Sequence, residues 1–174
     1  MKFNKIKMIV SDVDGVWTDG SFYKGPNNME LKKFSVFDGV GVAMAKAANL
    51  KVALISGRFS PATESRAKEL GIEDIYNGTL NKLPSYEELK TKYNLNDYNI
   101  AYIGDDLIDI PVMSRVGLPI AVANAVNEVK EVSFHVTDLS GGEGAFREAV
   151  YWIISKQGRI KETLKVMKER VLNN

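Results

Sequence analysis

Four short stretches carry side chains able to do chemistry, and each follows a strand-like segment. Asp12 and Asp14 stand one residue apart, directly after the apolar run Met8-Ile9-Val10, and Gly15 follows at once. Ser56-Gly57-Arg58 follows Val52 to Ile55, and Lys82 comes a few residues after Ile75-Tyr76. Gly104-Asp105-Asp106-Leu107-Ile108-Asp109 follows Ile100 to Ile103. Together these supply a carboxylate nucleophile, a second carboxylate, a hydroxyl, a fixed cation and further acids. Such a set suits phosphoryl transfer, where catalysis is mostly positioning and charge neutralisation. A carboxylate can attack phosphorus, but it must approach a dianion, and two crowded carboxylates repel each other unless a proton or cation intervenes. Mg²⁺ bound by carboxylates removes that repulsion and orients the phosphoryl oxygens, leaving the rest to Lys82 and the Ser56 hydroxyl.

The elements that must position these residues alternate along the chain. Unbroken apolar runs at Ile6 to Asp12, Val52 to Ser56 and Ile100 to Gly104 read as strands buried on both faces of a parallel sheet. Ile75-Tyr76, Leu118 to Ala123 and Phe134 to Val136 are shorter strands. Helical periodicity covers Val42 to Ala47 with Asp38 as its cap, Ser60-Pro61 to Leu70, Leu83 to Tyr93, about Leu107 to Val116, and Gly144 to Gln157. A charged helix from Ile160 to Leu172 is expected outside the core. Phe22 to Phe34 reads as a hairpin turning at Gly25-Pro26-Asn27-Asn28. The expected fold is α/β, a single Rossmann-like doubly wound parallel sheet with a small hairpin insertion at about 20–35 and no cap domain. Residues 1–158 form that domain and 159–174 a helical tail. Ligands of such sheets bind beyond the carboxyl ends of the strands, where all four stretches fall.

Composition narrows the functional classes. The chain has 174 residues, 45% hydrophobic and 26% charged, a soluble single-domain profile. A net charge of +1 offers no attraction to nucleic acid or membrane. With no cysteine, disulfides, thiolate zinc sites and cysteine nucleophiles are excluded. No transmembrane span or signal-peptide pattern is seen, and the cytoplasm is the expected compartment.

The ordered motifs Asp12-Val-Asp-Gly-Val-Trp-Thr-Asp-Gly20, Ser56, Lys82 and Gly104-Asp-Asp-Leu-Ile-Asp109 resemble those of haloacid-dehalogenase-superfamily phosphatases. Tyr76-Asn-Gly78, Ala101 to Met113, Val116-Gly-Leu118 and Gly141 to Glu148 are most similar to the 3-deoxy-D-manno-octulosonate 8-phosphate phosphatases. The resemblance implies that Asp12 is the nucleophile and a metal ligand. It makes Asp14 the acid and base for the leaving group and water, with its backbone carbonyl on the metal. Ser56 and Lys82 would bind phosphate, Asp105 would complete the Mg²⁺ ligands, and Asp106 and Asp109 would be supporting acids. Asn124 departs from the aspartate such relatives often carry, with no expected effect on chemistry. A phosphatase for a nine-carbon sialic-type acid 9-phosphate, or a non-catalytic regulatory module, are the alternatives.

Blander roles compete at several positions. Asp106 is as able to cap the following helix as to touch the site, and Asp109 to complement that helix's dipole. Ser140 to Gly144 suits an anion site or a flexible turn. His135 is expected to be structural, and Trp17 to pack over the rim of the site. A response-regulator-like domain would be shorter, with an adjacent acidic pair at its first strand and its acceptor on a later strand.

No interval between motifs has room for a cap domain, so the site would stand open to water. A large substrate or a neighbouring subunit would have to cover it. The hairpin alternates Phe22, Met29 and Leu31 with lysines and is marginal alone, which suggests hairpins associating in a homo-oligomer. The resemblance implies a homotetramer, with the tail a candidate gate. Arg58 and Arg66 are candidates to meet the carboxylate of a sugar acid.

Overall fold

Met8 to Ser11, all buried, form strand β1, the centre around which the chain winds. The computed structural model describes residues 3–27 and 29–172. A hairpin of β2 (Tyr23–Lys24) and β3 (Glu30–Leu31) follows β1, and its turn residue Asn28 lies outside the described residues. Next come α1 (Val36–Ala47), β4 (Lys51–Ser56), α2 (Pro61–Glu69), β5 (Asp74–Asn77) and α3 (Leu83–Tyr93). The second half runs β6 (Ile100–Gly104), α4 (Ile110–Met113), β7 (Leu118–Ala121), α5 (Asn127–Val132), β8 (His135–Val136), α6 (Ala145–Lys156) and α7 (Ile160–Leu172).

Six strands make one parallel sheet in the order β5-β4-β1-β6-β7-β8, and the hairpin stands apart as a two-stranded ribbon. In register, Ser11 pairs with Leu54 on one side and Ile103 on the other. The residues that follow these three strands therefore emerge side by side. Helices α1, α6 and α7 pack on one another, as do α3, α4 and α5, giving the helix-flanked sheet that the alternation implied. The core centres on Met8, Ile9, Val10, Tyr102, Phe146 and Ile153, all without solvent exposure. Burial of this apolar surface supplies the main drive to fold. Among the described residues no helix is long and apolar enough to cross a membrane.

Four details depart from expectation. Ser35, not Asp38, caps α1, its hydroxyl accepting from the Phe37 N–H at 3.2 Å. Asp38 lies in the first turn, buried, and accepts from the Arg147 N–H at the start of α6. Trp17 is core, not rim: its ring lies 4.3 Å from that of Phe146 and its Nε1 donates to Ser11 Oγ at 3.0 Å. The segment from Leu107 begins as a 3₁₀ turn before α4, because Asp106 and Asp109 cap that turn reciprocally. Helix α7 rests against α1 with Thr163 buried and Met167 against the core, so it is more than an outlying helix.

Candidate active site

The parallel register delivers Asp12, Ser56 and Asp105 to one edge, at the carboxyl ends of β1, β4 and β6. Gly15 lets the first loop close over them. Its φ of +94° is open to glycine, and a Cβ there would fall 2.0 Å from Asp105 Oδ2. Behind this loop, Asn124 Nδ2 donates to the Gly15 carbonyl at 3.0 Å while its Oδ1 accepts from the Gly141 N–H at 2.6 Å. The glycine-rich turn 140–144 is thus a packed wall: a Cβ on Gly141 would meet the Gly15 carbonyl at 1.8 Å.

Lys82 stands at the N-cap of α3, 2% exposed, with Nζ 2.7 Å from Asp12 Oδ1 and 2.6 Å from Asp109 Oδ1. Burial works against its charge, but the two carboxylates outweigh that and hold its pKa above the ordinary lysine value. Asp109 is saturated: Oδ1 also accepts from the Tyr102 hydroxyl at 2.7 Å, and Oδ2 from the N–H groups of Asp105 and Asp106. It ties the acidic loop to the cation. Asp106 caps the turn through the Leu107 N–H and also lines the site cavity.

The carboxylates are too close to be charged together in dry surroundings. Burial raises Asp12 to about 6, against the opposing pull of Lys82. Asp105 rises to about 9, through burial and then the neighbouring Asp12 and Asp109. Ligand oxygens of Asp12, Asp105 and Asp109 lie within 4.8 Å of one another, and Asp105 Oδ1 is buried without a hydrogen-bond partner among the described residues. An all-oxygen, anionic, under-satisfied donor set of this kind fits a hard divalent cation.

Asp14 faces the same cavity, about 190 Å³, lined also by Asp12, Phe22, Arg58, Leu80 and Ile108. Its Oδ1 pairs at 2.6 Å with Nζ of Lys32, a lysine whose side chain is entirely buried. Glu30, at the start of β3, grips Arg58 through both guanidinium nitrogens. That fork pulls the Glu30 carboxyl down to about 2. Arg58 also lies 4.1 Å over the Phe22 ring at the mouth of the site. Ser56 is buried and its hydroxyl donates to the Arg58 carbonyl at 3.0 Å.

Asp12, Asp14, Ser56, Arg58, Lys82, Asp105, Asp106 and Asp109 thus gather at one edge of the sheet. Arg66 does not join the cavity lining; its guanidinium reaches the Ser35 carbonyl and Glu69. Lys32, Glu30 and Tyr102 were not singled out from the sequence, and Asn124 was noted there with no expected effect on chemistry. The only signal for the first two was the alternation Met29-Glu30-Leu31-Lys32, whose polar members turn inward while Met29 and Leu31 stay exposed.

The match to known proteins agrees with this geometry. The family model for haloacid dehalogenase-like hydrolases matches residues 51–147. The 3-deoxy-D-manno-octulosonate 8-phosphate phosphatase of Salmonella typhi is 43% identical over 92% of this chain and 86% of its own. The crystal structure of the Yersinia pestis enzyme of that name superposes with a TM-score of 0.89 at 41% identity, covering 92% of this chain and 86% of that one. The Moraxella catarrhalis enzyme, solved with magnesium ion, phosphate ion and the sugar acid, gives 0.90 at 35% identity over 94% of each chain. With this family match, these relatives and the likeness in fold, the chain belongs to the haloacid dehalogenase-like hydrolase family, among its phosphatases.

Proposed function

We propose that the protein is a Mg²⁺-dependent phosphatase for a sugar acid phosphate monoester, 3-deoxy-D-manno-octulosonate 8-phosphate, releasing the sugar acid and phosphate. The observation that carries this reading is the buried Asp12 carboxylate held 2.7 Å from Lys82, beside a second carboxylate, Asp14, that opens onto the same cavity. The relatives' shared activity supports the choice of substrate.

In this reading an Asp12 oxygen attacks phosphorus and the bond to the sugar oxygen breaks. Asp14 passes its proton to that oxygen, so the sugar acid leaves neutral at the hydroxyl. Asp14 then takes a proton from water as the water oxygen attacks the aspartyl phosphate, and Asp12 leaves as the carboxylate. Lys82 and the Ser56 hydroxyl hold the phosphoryl oxygens, with Lys82 fixed by Asp109. Asp12, Asp105 and the Asp14 carbonyl hold the cation, which when bound neutralises charge between nucleophile and phosphoryl group. Asp106 and Asp109 support that cluster, since Asp109 already spends its oxygens on Lys82, Tyr102 and two amides. Arg58 meets the sugar acid at the cavity mouth with the donors that Glu30 leaves free.

Phe22, Tyr23, Met29 and Leu31 all project from a two-stranded ribbon into solvent. We place them in a homotetramer contact, with each ribbon completing a neighbour's shallow site. Sedimentation at micromolar concentration reads this directly, and a monomer would remove it. The activity is tested by phosphate release from a panel of sugar acid phosphates with and without Mg²⁺. Asp12→Asn is expected to lose at least about 10³-fold in turnover. Full activity in that variant, or after chelation, would overturn the reading.

A further inference from the structure

Lysines are rarely buried, because stripping water from an ammonium is costly unless a partner compensates. Lys32 has no exposed side-chain surface, and its Nζ has two partners at hydrogen-bond range: Asp14 Oδ1 at 2.6 Å and Thr63 Oγ1 of α2 at 3.3 Å. Asp14 Oδ2, by contrast, is buried with no hydrogen-bond partner among the described residues. One oxygen of that carboxyl group is anchored and the other is left over. Two residues earlier, at the start of β3, Glu30 clasps Arg58 beside the Ser56 loop. The ribbon therefore sends two charged side chains inward, one to each flank of the cavity.

We infer that Lys32 is a positioning residue for Asp14: by donating to Oδ1 it holds the carboxyl group at the cavity wall, oriented for proton transfer to the leaving oxygen. This rests on the phosphatase reading above. With its ammonium fixed between Asp14 and Thr63, Lys32 limits rotation of the carboxyl group at the cavity wall. In the first half-reaction the phosphorus–oxygen bond to the sugar breaks as the bond to Asp12 forms, and the Asp14 proton moves to the departing oxygen. In the second, Asp14 recovers a proton from water, and the cycle closes with no outside donor. Pre-set orientation of a proton-transfer group is worth far more than a contact made during the reaction.

A positioning role is separable from a structural one by the basicity of the leaving group. The alkoxide of a sugar acid phosphate needs a proton to depart, whereas p-nitrophenolate leaves without one. The ratio kcat/KM reports the steps through first departure, so the water step does not enter it. For Lys32→Met at saturating Mg²⁺, kcat/KM for the sugar acid phosphate is expected to fall about 10²-fold, and that for p-nitrophenyl phosphate less than about threefold. Lys32→Arg, which keeps a donor, is expected to recover part of the loss on the sugar ester. Equal losses on the two esters in the Lys32 variants, or no loss, would overturn the inference. If Lys32→Met does not fold, the same ester comparison in Lys32→Arg decides: a larger loss on the sugar ester supports the role and equal values refute it. Wild-type protein inactive on both esters would sink the phosphatase reading, and this inference with it; active wild type with ester-blind Lys32 variants would sink the inference alone.

Discussion

Gly15 and Asp105, far apart in the chain, approach so closely that a single added carbon on Gly15 would sit 2.0 Å from Asp105 Oδ2. The contact joins the loop after β1 to the loop after β6, and so sets the spacing between the two carboxylates that bracket the cation site. Gly15→Ala is expected to push Asp105 aside and strain a left-handed backbone, costing about 1–2 kcal/mol. Titrating phosphate release with Mg²⁺ should show the variant needing at least about tenfold more metal, in line with that energy.

Lys82 is the hub of the site's charge. Replacing it with Met would leave Asp12 and Asp109 buried and facing each other with no cation between them. Loss of one member of a buried ion cluster costs about 3–5 kcal/mol, so urea unfolding of Lys82→Met should show a fall of that size, along with loss of turnover.

Asp38 offers a pH test away from the reacting centre. Its carboxyl is fully buried, Oδ2 has no hydrogen-bond partner among the described residues, and burial raises its pKa from 3.8 to about 6. The folded state therefore favours the protonated form. Its contribution to stability is complete below pH 4 and is lost as pH rises through 6, a swing of roughly 2–3 kcal/mol. Asp38→Asn keeps the acceptor for the Arg147 N–H and should flatten the stability profile between pH 4 and 7. Chemical denaturation at intervals across that range measures the difference.

The two arginines should separate. Arg58 lines the cavity, whereas Arg66 serves the Ser35 carbonyl and Glu69. Arg58→Ala is expected to raise KM for the sugar acid phosphate several-fold, on the order of 1 kcal/mol, with little change on p-nitrophenyl phosphate. Arg66→Ala should move both esters together and lower the melting temperature. A rise in KM for the sugar ester alone in Arg66→Ala would restore Arg66 as a substrate contact.

Asn124 looked inconsequential as a departure from aspartate, yet in the fold it bridges two buried backbone groups, one as donor and one as acceptor. Asn124→Ala removes both bonds and should cost about 1–3 kcal/mol in thermal or urea unfolding.

Strand identity and strand ends were legible in the chain because a buried parallel strand has to be apolar throughout, and β1, β4 and β6 are. That alone put Asp12, Ser56 and Asp105 at one edge, since parallel strands share a direction. The helix limits at Leu83–Tyr93 and Ile160–Leu172 also followed from periodicity. Short-range competition was harder to read: Ser35 and Asp38 are both competent caps, and only the approach of α6 draws Asp38 inward to the Arg147 amide.

The order of carboxylates, hydroxyl and lysine is a local property of the chain, and it carried fold class and phosphoryl chemistry without help from coordinates. Which groups touch is a property of long-range packing. Only the folded ribbon shows that Met29 and Leu31 face water while Glu30 and Lys32 turn into the site, the reverse of what alternation on a free hairpin suggests. Alternation specifies two faces but not which one is inward; that is decided by what lies opposite, here Asp14, Thr63 and Arg58.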